Sequence, residues 1–258
     1  MKTQENSSGL ERQISIRVAT YNIARGKWAT SEQIADALKA LRLDIVFLNE
    51  VPKPKPGQSV PDWSWRVARE LGMAHTYTGT IGPTRSNPKK TDVSGKYYAG
   101  HYEAILSRTP LINIREMKLR SARKESSIII RAETRIGEEE IALYVLHLPP
   151  DKEWDTSNHR DLAERILSDE PLSDTIVGGD FNRPHGCPVM QELLCTAGLT
   201  NALLKDCGRS VDHILYRSCS DVCVMENGLS WGPTTGQGKN GHLSDHPYVW
   251  TELLLQTP

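Results

Sequence analysis

Five polar residues of this chain sit at or just beyond the carboxyl ends of apolar, strand-like stretches. They are Asn22 after RVATY, Glu50 in DIVFLNEV, His147 in ALYVLHLP, and Asp180 with Asn182 in TIVGGDFN. Strands that are apolar throughout are strands buried on both faces, which is the habit of sheets flanked by helices. In such sheets ligand sites gather beyond the carboxyl ends of the strands. The placement of these five groups alike is what an α/β sheet with a site at its strand ends would show, and it points to where the chemistry lies.

The periodicities agree. Residues 14–24, 44–51, 101–108, 111–119, 126–136, 139–149, 173–180, 210–217 and 246–255 read as strands. TSEQIADALKALRL (30–43) has a Thr or Ser N-cap and apolar residues at helical spacing. Residues 64–73, 158–169 and 188–199 are further helices, the first and last stopped by Gly72 and Gly198. The stretch 79–97 is rich in Gly, Pro, Ser and Lys and reads as a long loop. No internal repeat or linker divides the chain. The polar start, residues 1–13, reads as a disordered lead-in to one domain spanning 14–258.

Length and composition allow that single large core: 258 residues, 38% hydrophobic and 24% charged. No stretch reaches the ~20 apolar residues of a membrane span. The start lacks a secretory h-region, and the five cysteines form an odd set without zinc-site spacing. Reduced thiols and a cytoplasmic location are the expectation. Net charge is −1, but it is uneven. Residues 1–130 carry 21 basic against 12 acidic residues, and 131–258 carry 10 against 20.

GGDFN admits two readings. Asp and Asn are turn formers, so Asp180 can close an Asx-turn after a strand. Alternatively, the i, i+2 spacing puts Asp180 and Asn182 on one face of an extended segment, with Phe181 toward the core. Glu50 is harder to read as structural, because a carboxylate after DIVFLN is costly unless it is paired or holds a metal. His147, taken alone, reads equally as a satisfied core histidine. SDH at 244–246, taken alone, reads as a turn before a strand.

Together the motifs TYNI, LNEV, EAILSR, LHL, GGDFN, VDHIL and LSDH, spread over residues 20–246, resemble the endonuclease/exonuclease/phosphatase superfamily of metal-dependent phosphoesterases. One departure is LNE, where that family more often has LQE. The resemblance implies a DNase-like four-layer sandwich, with two facing mixed β-sheets flanked by helices. It implies Mg²⁺, with Mn²⁺ as an alternative, held by Asn22 and Glu50 with Asp245 in the metal region. Oxygen ligands suit that hard cation. It makes Asp180 the general base toward water, assisted by Asn182. His147 and His246 become the phosphate-facing groups, with Asp212 orienting His246 and Glu103 in a position to hydrogen-bond His147. Arg131 is a candidate phosphate clamp through its fork of donors, or a strand charge that discourages edge pairing.

The substrate is less legible. Basic residues cluster in 79–97 and 115–124, and Trp28, Trp63, Trp65, Trp154 and Trp231 lie in or near loops. Such residues suit a nucleic-acid backbone and its bases, so a nuclease acting on DNA or RNA is the leading expectation. A phosphatase or phosphodiesterase of a small molecule or lipid headgroup is the second. An inactive binding module on the same fold is the third. No membrane anchor is expected, and oligomeric state is open.

Overall fold

Along the first strand, β1 (Arg12–Asn22), successive residues enter two different cores. Ile16 and Val18 join one apolar cluster, whereas Ala19 and Tyr21 join another. A strand alternates faces, so β1 is covered on both sides, and the same division repeats across two sheets. The computed structural model describes residues 12–80, 91–119, 127–150, 157–169, 174–203, 210–218, 221–234 and 239–257. The lead-in expected over 1–13 lies outside these residues except for Arg12 and Gln13, which belong to β1.

The first sheet adds β2 (Ile45–Pro54), β3 (His75–Thr78), β4 (Tyr97–Ser107), β11 (Asp221–Ser230) and β12 (Tyr248–Thr257). Its order is β11-β12-β1-β2-β4-β3. The second holds β5 (Ile112–Lys118), β6 (Ile128–Ile136), β7 (Glu139–His147), β8 (Asp174–Asp180), β9 (Thr200–Asn201) and β10 (Asp212–Arg217), in the order β5-β6-β7-β8-β10-β9. Each sheet contains one parallel pair, β1 with β2 and β7 with β8. Parallel neighbours need a crossover, usually helical. The helices α1 (Ser31–Lys39) and α3 (Ser157–Asp169) lie in those two crossovers.

Helix α1 starts where its sequence says it should. Thr30 caps it, and Gln33 returns a side-chain bond to the Thr30 backbone, a complete capping box. With α2 (Trp63–Glu70) it buries Ile34, Leu38, Trp63 and Val67 against the first sheet. Helices α3 and α4 (Pro188–Ala197) cover the second sheet. Helix α4 has Pro at its first turn and Gly198 at φ 63 past its end, the conformation that favours glycine. The result is helices, sheet, sheet, helices: the four-layer α/β sandwich.

Two glycines set close approaches here, one between the sheets and one between neighbouring strands of the second sheet. A Cβ on Gly178 would lie 2.1 Å from Cδ2 of Phe47 in the opposite sheet. Gly179 has φ 148, and a Cβ there would lie 2.0 Å from the Leu146 carbonyl oxygen. The GG of GGDFN is therefore a packing device as well as the approach to a site.

Three strands escape the sequence reading. β3 and β9 are short sheet-edge segments. β11, DVCVMENGLS, is an edge strand of mainly exposed or half-buried residues with a register shift at Val224/Glu226. It lacks the apolar run that marks the interior strands.

Candidate active site

The carboxyl ends of the two parallel pairs meet. Asn22 stands opposite Asn49 in one sheet, and His147 stands opposite Asp180 in the other. Asn49 joins them: its Nδ2 donates to the Leu146 carbonyl at 2.8 Å, and its Oδ1 accepts the Asp180 N–H at 3.1 Å. Both groups would otherwise be buried strand-end groups needing partners.

Asp180, 1% exposed, divides its two oxygens. Oδ1 accepts the Asn182 N–H at 2.8 Å, which is an Asx-turn. Oδ2 accepts from Asn22 Nδ2 at 3.1 Å and lies 3.4 Å from His147 Nε2 and 3.7 Å from His246 Nε2. The turn and the site thus coexist in one side chain. The expected shared face of Asp180 and Asn182 does not form, because β8 stops at Asp180 and Asn182 is left-handed at φ 51. Its Nδ2 instead donates to the Leu148 carbonyl at 2.7 Å. Phe181 is fully buried in the core beneath α3 and α4.

Asp212 opens β10 directly across from Asp180. Its Oδ2 meets His246 Nδ1 at 2.8 Å. Burial raises the Asp212 pKa to about 6, against the pull of His246. For His246, burial lowers the pKa, but the Asp212 bond and charge, with Asp180 and Asp245, carry it up to about 9. The short bond favours the charged ring of His246, and its Nε2 is turned toward Asp180. Ser244 fixes the turn that presents it: its Oγ donates to the Asn22 carbonyl at 2.6 Å and accepts the His246 N–H at 3.2 Å. Asp245 is exposed beside them.

A family model for the Endonuclease/Exonuclease/phosphatase family matches residues 19–246. The chain belongs to that family. Members hydrolyse phosphate esters and depend on divalent metals. Among solved structures, the catalytic domain of human Nocturnin with a bound sulfate anion is 17% identical, with TM-score 0.69 over 97% of this chain and 99% of that one. An endonuclease/exonuclease/phosphatase from Beutenbergia cavernae is 18% identical, with TM-score 0.68 over 94% and 72%. D. rerio TDP2 complexed with a single-strand DNA product is 13% identical, with TM-score 0.61 over 93% and 98%. These likenesses concern the fold. A search of curated proteins finds no match.

The remaining candidate residues of this family member divide. Glu50 adopts φ 55 within the register shift between Leu48 and Val51, and its Oε2 accepts from Arg25 Nε at 2.8 Å. Arg25 itself stands in a run of left-handed residues, Ala24 to Gly26 at φ 49, 63 and 59. Strain of this kind, outside glycine, clusters at functional sites. Asn22 Oδ1 accepts the Ala24 N–H at 3.1 Å, tying that turn to the site. Glu103 is buried between the sheets, and desolvation pushes its pKa well above the usual carboxylate range, with Glu50 and Glu116 adding to the effect. Among the described residues no hydrogen bond joins it to His147. Arg131 alternates with Ile130 and Ala132 of the inter-sheet core, so it occupies the opposite, helix-facing side of its sheet. There its Nη2 pairs with Glu133 Oε1 at 2.5 Å. The structure does not bring Arg131 to the cluster.

The donor set fits a hard divalent cation. It consists of the carboxylate oxygens of Glu50 and Asp245 and the amide oxygen of Asn22, with further carboxylates beside them. Ligand atoms of Asp180, Asp212 and His246 also lie within 4.8 Å of one another, so negative charge is concentrated at this strand-end cluster. Asp212 Oδ1 is buried with no hydrogen-bond partner, an expensive state for a carboxylate oxygen that has nothing to bind. Asn49 and Arg25 escaped the sequence reading. Asn49 had a signal in the LNE departure, while Arg25 had none, since its role depends on the left-handed turn.

Proposed function

We propose that the chain is a divalent-metal-dependent phosphodiesterase that cleaves nucleic acid by in-line attack of water. The observation that carries this reading is the single oxygen Asp180 Oδ2, faced by Asn22, His147 and His246 from both sheets. One buried acceptor surrounded by two imidazoles and an amide can take a proton from water and pass it on.

Asp180 is the general base, oriented by Asn49 at its backbone and by the Asn182 N–H at its other oxygen. His246, kept cationic by Asp212, and His147 stabilise the negative charge that gathers on the phosphoryl oxygens. Asn182, bonded to the Leu148 carbonyl, positions the water through its turn. Asn22, Glu50 and Asp245 are the residues that would hold Mg²⁺ or Mn²⁺. When bound, the cation withdraws charge from the phosphoryl group. Glu103, buried between the sheets and coupled by charge to Glu50, supports the site from beneath in this reading rather than touching substrate. Arg131 is a structural cation paired with Glu133, leaving the phosphate-clamp role unfilled by that residue.

Nucleic acid is favoured because polyanion binding suits the basic residues clustered in 79–97 and 115–124, of which Lys96, Arg115 and Lys118 are exposed. Arg85, Lys89, Lys90, Arg120, Arg123 and Lys124 lie outside the described residues, as does Trp154. No described helix is long and apolar enough to cross a membrane.

The test is hydrolysis of single- and double-stranded DNA, RNA and small phosphate esters with Mg²⁺, Mn²⁺ or EDTA, with Asp180→Asn alongside. Metal-dependent cleavage of a polynucleotide, lost in Asp180→Asn and falling steeply with salt, is the expected result. Turnover confined to small esters and insensitive to salt would replace the nuclease with a small-molecule phosphatase. Cleavage that survives Asp180→Asn would remove Asp180 from the role of base.

A further inference from the structure

We propose that Trp231 and His242 form a nucleobase-binding platform beside the reaction site, on which a base of the substrate strand stacks near the cleaved phosphate. This rests on the reading of the substrate as nucleic acid.

The position follows from strand register. Ser230, the last residue of β11, pairs with Tyr248, the first of β12. Trp231 follows directly on that pair, just outside the ladder, and Tyr248 lies two residues from His246. Neighbouring strands are about 4.8 Å apart, so the Trp231 backbone lies near the turn that presents His246.

The platform is also rigid. Trp231 is 43% exposed, and its ring lies against His242 in a tilted arrangement, with centroids 5.3 Å apart and planes 32° apart. Leu243 follows His242 into the core, and Ser244 is bonded to both Asn22 and His246. On the other side, Gly232 turns at φ 69, where a Cβ would come into ordinary contact with Ala37, Leu243 and Tyr248. Both rings are therefore pinned to the same elements that hold the candidate catalytic groups. His242 Nδ1 is buried without a hydrogen-bond partner, a cost that an apolar residue in its place would not carry.

Other tryptophans are used differently. Trp63 is buried in the core, Trp65 lies under the Arg69 guanidinium, and Trp28 lies under Lys27. Among the described residues no cation covers Trp231. An exposed indole backed by a second ring offers a flat surface to any base, and stacking of this kind tolerates sequence.

The test uses the full chain in EDTA, so that binding is read without turnover. A single-stranded tetranucleotide and its abasic counterpart are titrated against tryptophan fluorescence, and affinities are measured by competition for wild type, Trp231→Ala and Trp231→Phe. Stacking predicts that Trp231→Ala weakens binding of the base-bearing tetramer roughly 5- to 150-fold. It also predicts that abasic binding is unchanged and that Trp231→Phe retains most of the affinity. Unchanged binding of the base-bearing tetramer by Trp231→Ala, equal losses on both tetramers, or no binding by wild type would each overturn the platform. Cleavage with Mg²⁺ is measured in parallel. Binding through Trp231 without any cleavage would overturn the hydrolase reading alone, whereas cleavage with binding indifferent to Trp231 would overturn the platform alone.

Discussion

Replacing Asn49 by Leu tests whether one amide holds the two halves of the site together. Asn49 is fully buried, and its side chain satisfies a carbonyl at the end of β7 and an N–H at the end of β8. Leucine keeps the branched outline of asparagine but ends in two larger methyl groups, so the substitution removes both hydrogen bonds without opening a cavity. It leaves the Leu146 oxygen and the Asp180 N–H buried and unpaired. Each orphan costs about 1–3 kcal/mol, giving a total of about 2–6 kcal/mol. For a chain of this size that lowers the midpoint of thermal unfolding by roughly 10 °C. Urea unfolding should show a lower midpoint with an unchanged slope, which separates lost stability from a changed unfolded state. Activity at a temperature where the variant is fully folded should also fall, because the Asp180 backbone is no longer held. Asn49→Gln keeps both hydrogen-bonding ends and should lose less on each measure. A loss under about 1 kcal/mol with activity intact would refute the argument, since the two backbone groups would then have found other partners.

Gly178→Ala should destabilise by about 3 kcal/mol through the clash with Phe47, and Phe47→Leu in the same chain should recover part of it; additive losses in unfolding experiments would count against the close approach of the sheets. Asp212→Asn should cut turnover by about 10- to 100-fold through the lost orientation of His246, with circular dichroism unchanged. His213 is held neutral, because burial lowers its pKa to about 4 while its ring bonds Arg183 and Asn201. Its folded pKa lies below the unfolded value, so its contribution is intact above about pH 6.5 and is lost progressively down to about pH 4. The loss amounts to about 3 kcal/mol, and His213→Gln should flatten the stability profile over that window.

Much of the fold was legible because its interior strands are apolar and its helices carry caps. Thr30 and Gln33, Pro188 and Gly198 mark helix ends by local chemistry, and local chemistry can be read from neighbours in sequence. β11 was not legible, because an exposed edge strand needs no apolar run and Glu226, Asn227 and Gly228 resemble a loop. Its place is fixed by β12, and Gly228 by the Trp250 ring, whose Nε1 would lie 2.6 Å from a Cβ there. Such partners are distant in sequence. Arg131 shows the same limit in reverse: an arginine amid SSIIIRAETRI suggests a ligand or an edge charge, but which face of the sheet it takes depends on register.

The site was legible to the extent that each residue announces itself by being out of place in an apolar strand. What sequence could not supply is how the oxygens and nitrogens are shared. Asp180 is an Asx-turn residue through one oxygen and a site residue through the other, so the two readings of GGDFN were never exclusive. The same sharing explains why the glycines before it belong to the motif. Gly178 lets Phe47 through, which brings β2 close enough for Asn49 to reach Leu146 and Asp180. The approach of the sheets and the orientation of the candidate base are therefore one constraint. A substitution at Gly178 should disturb turnover as well as stability, although its Cα carries no group that could touch a substrate.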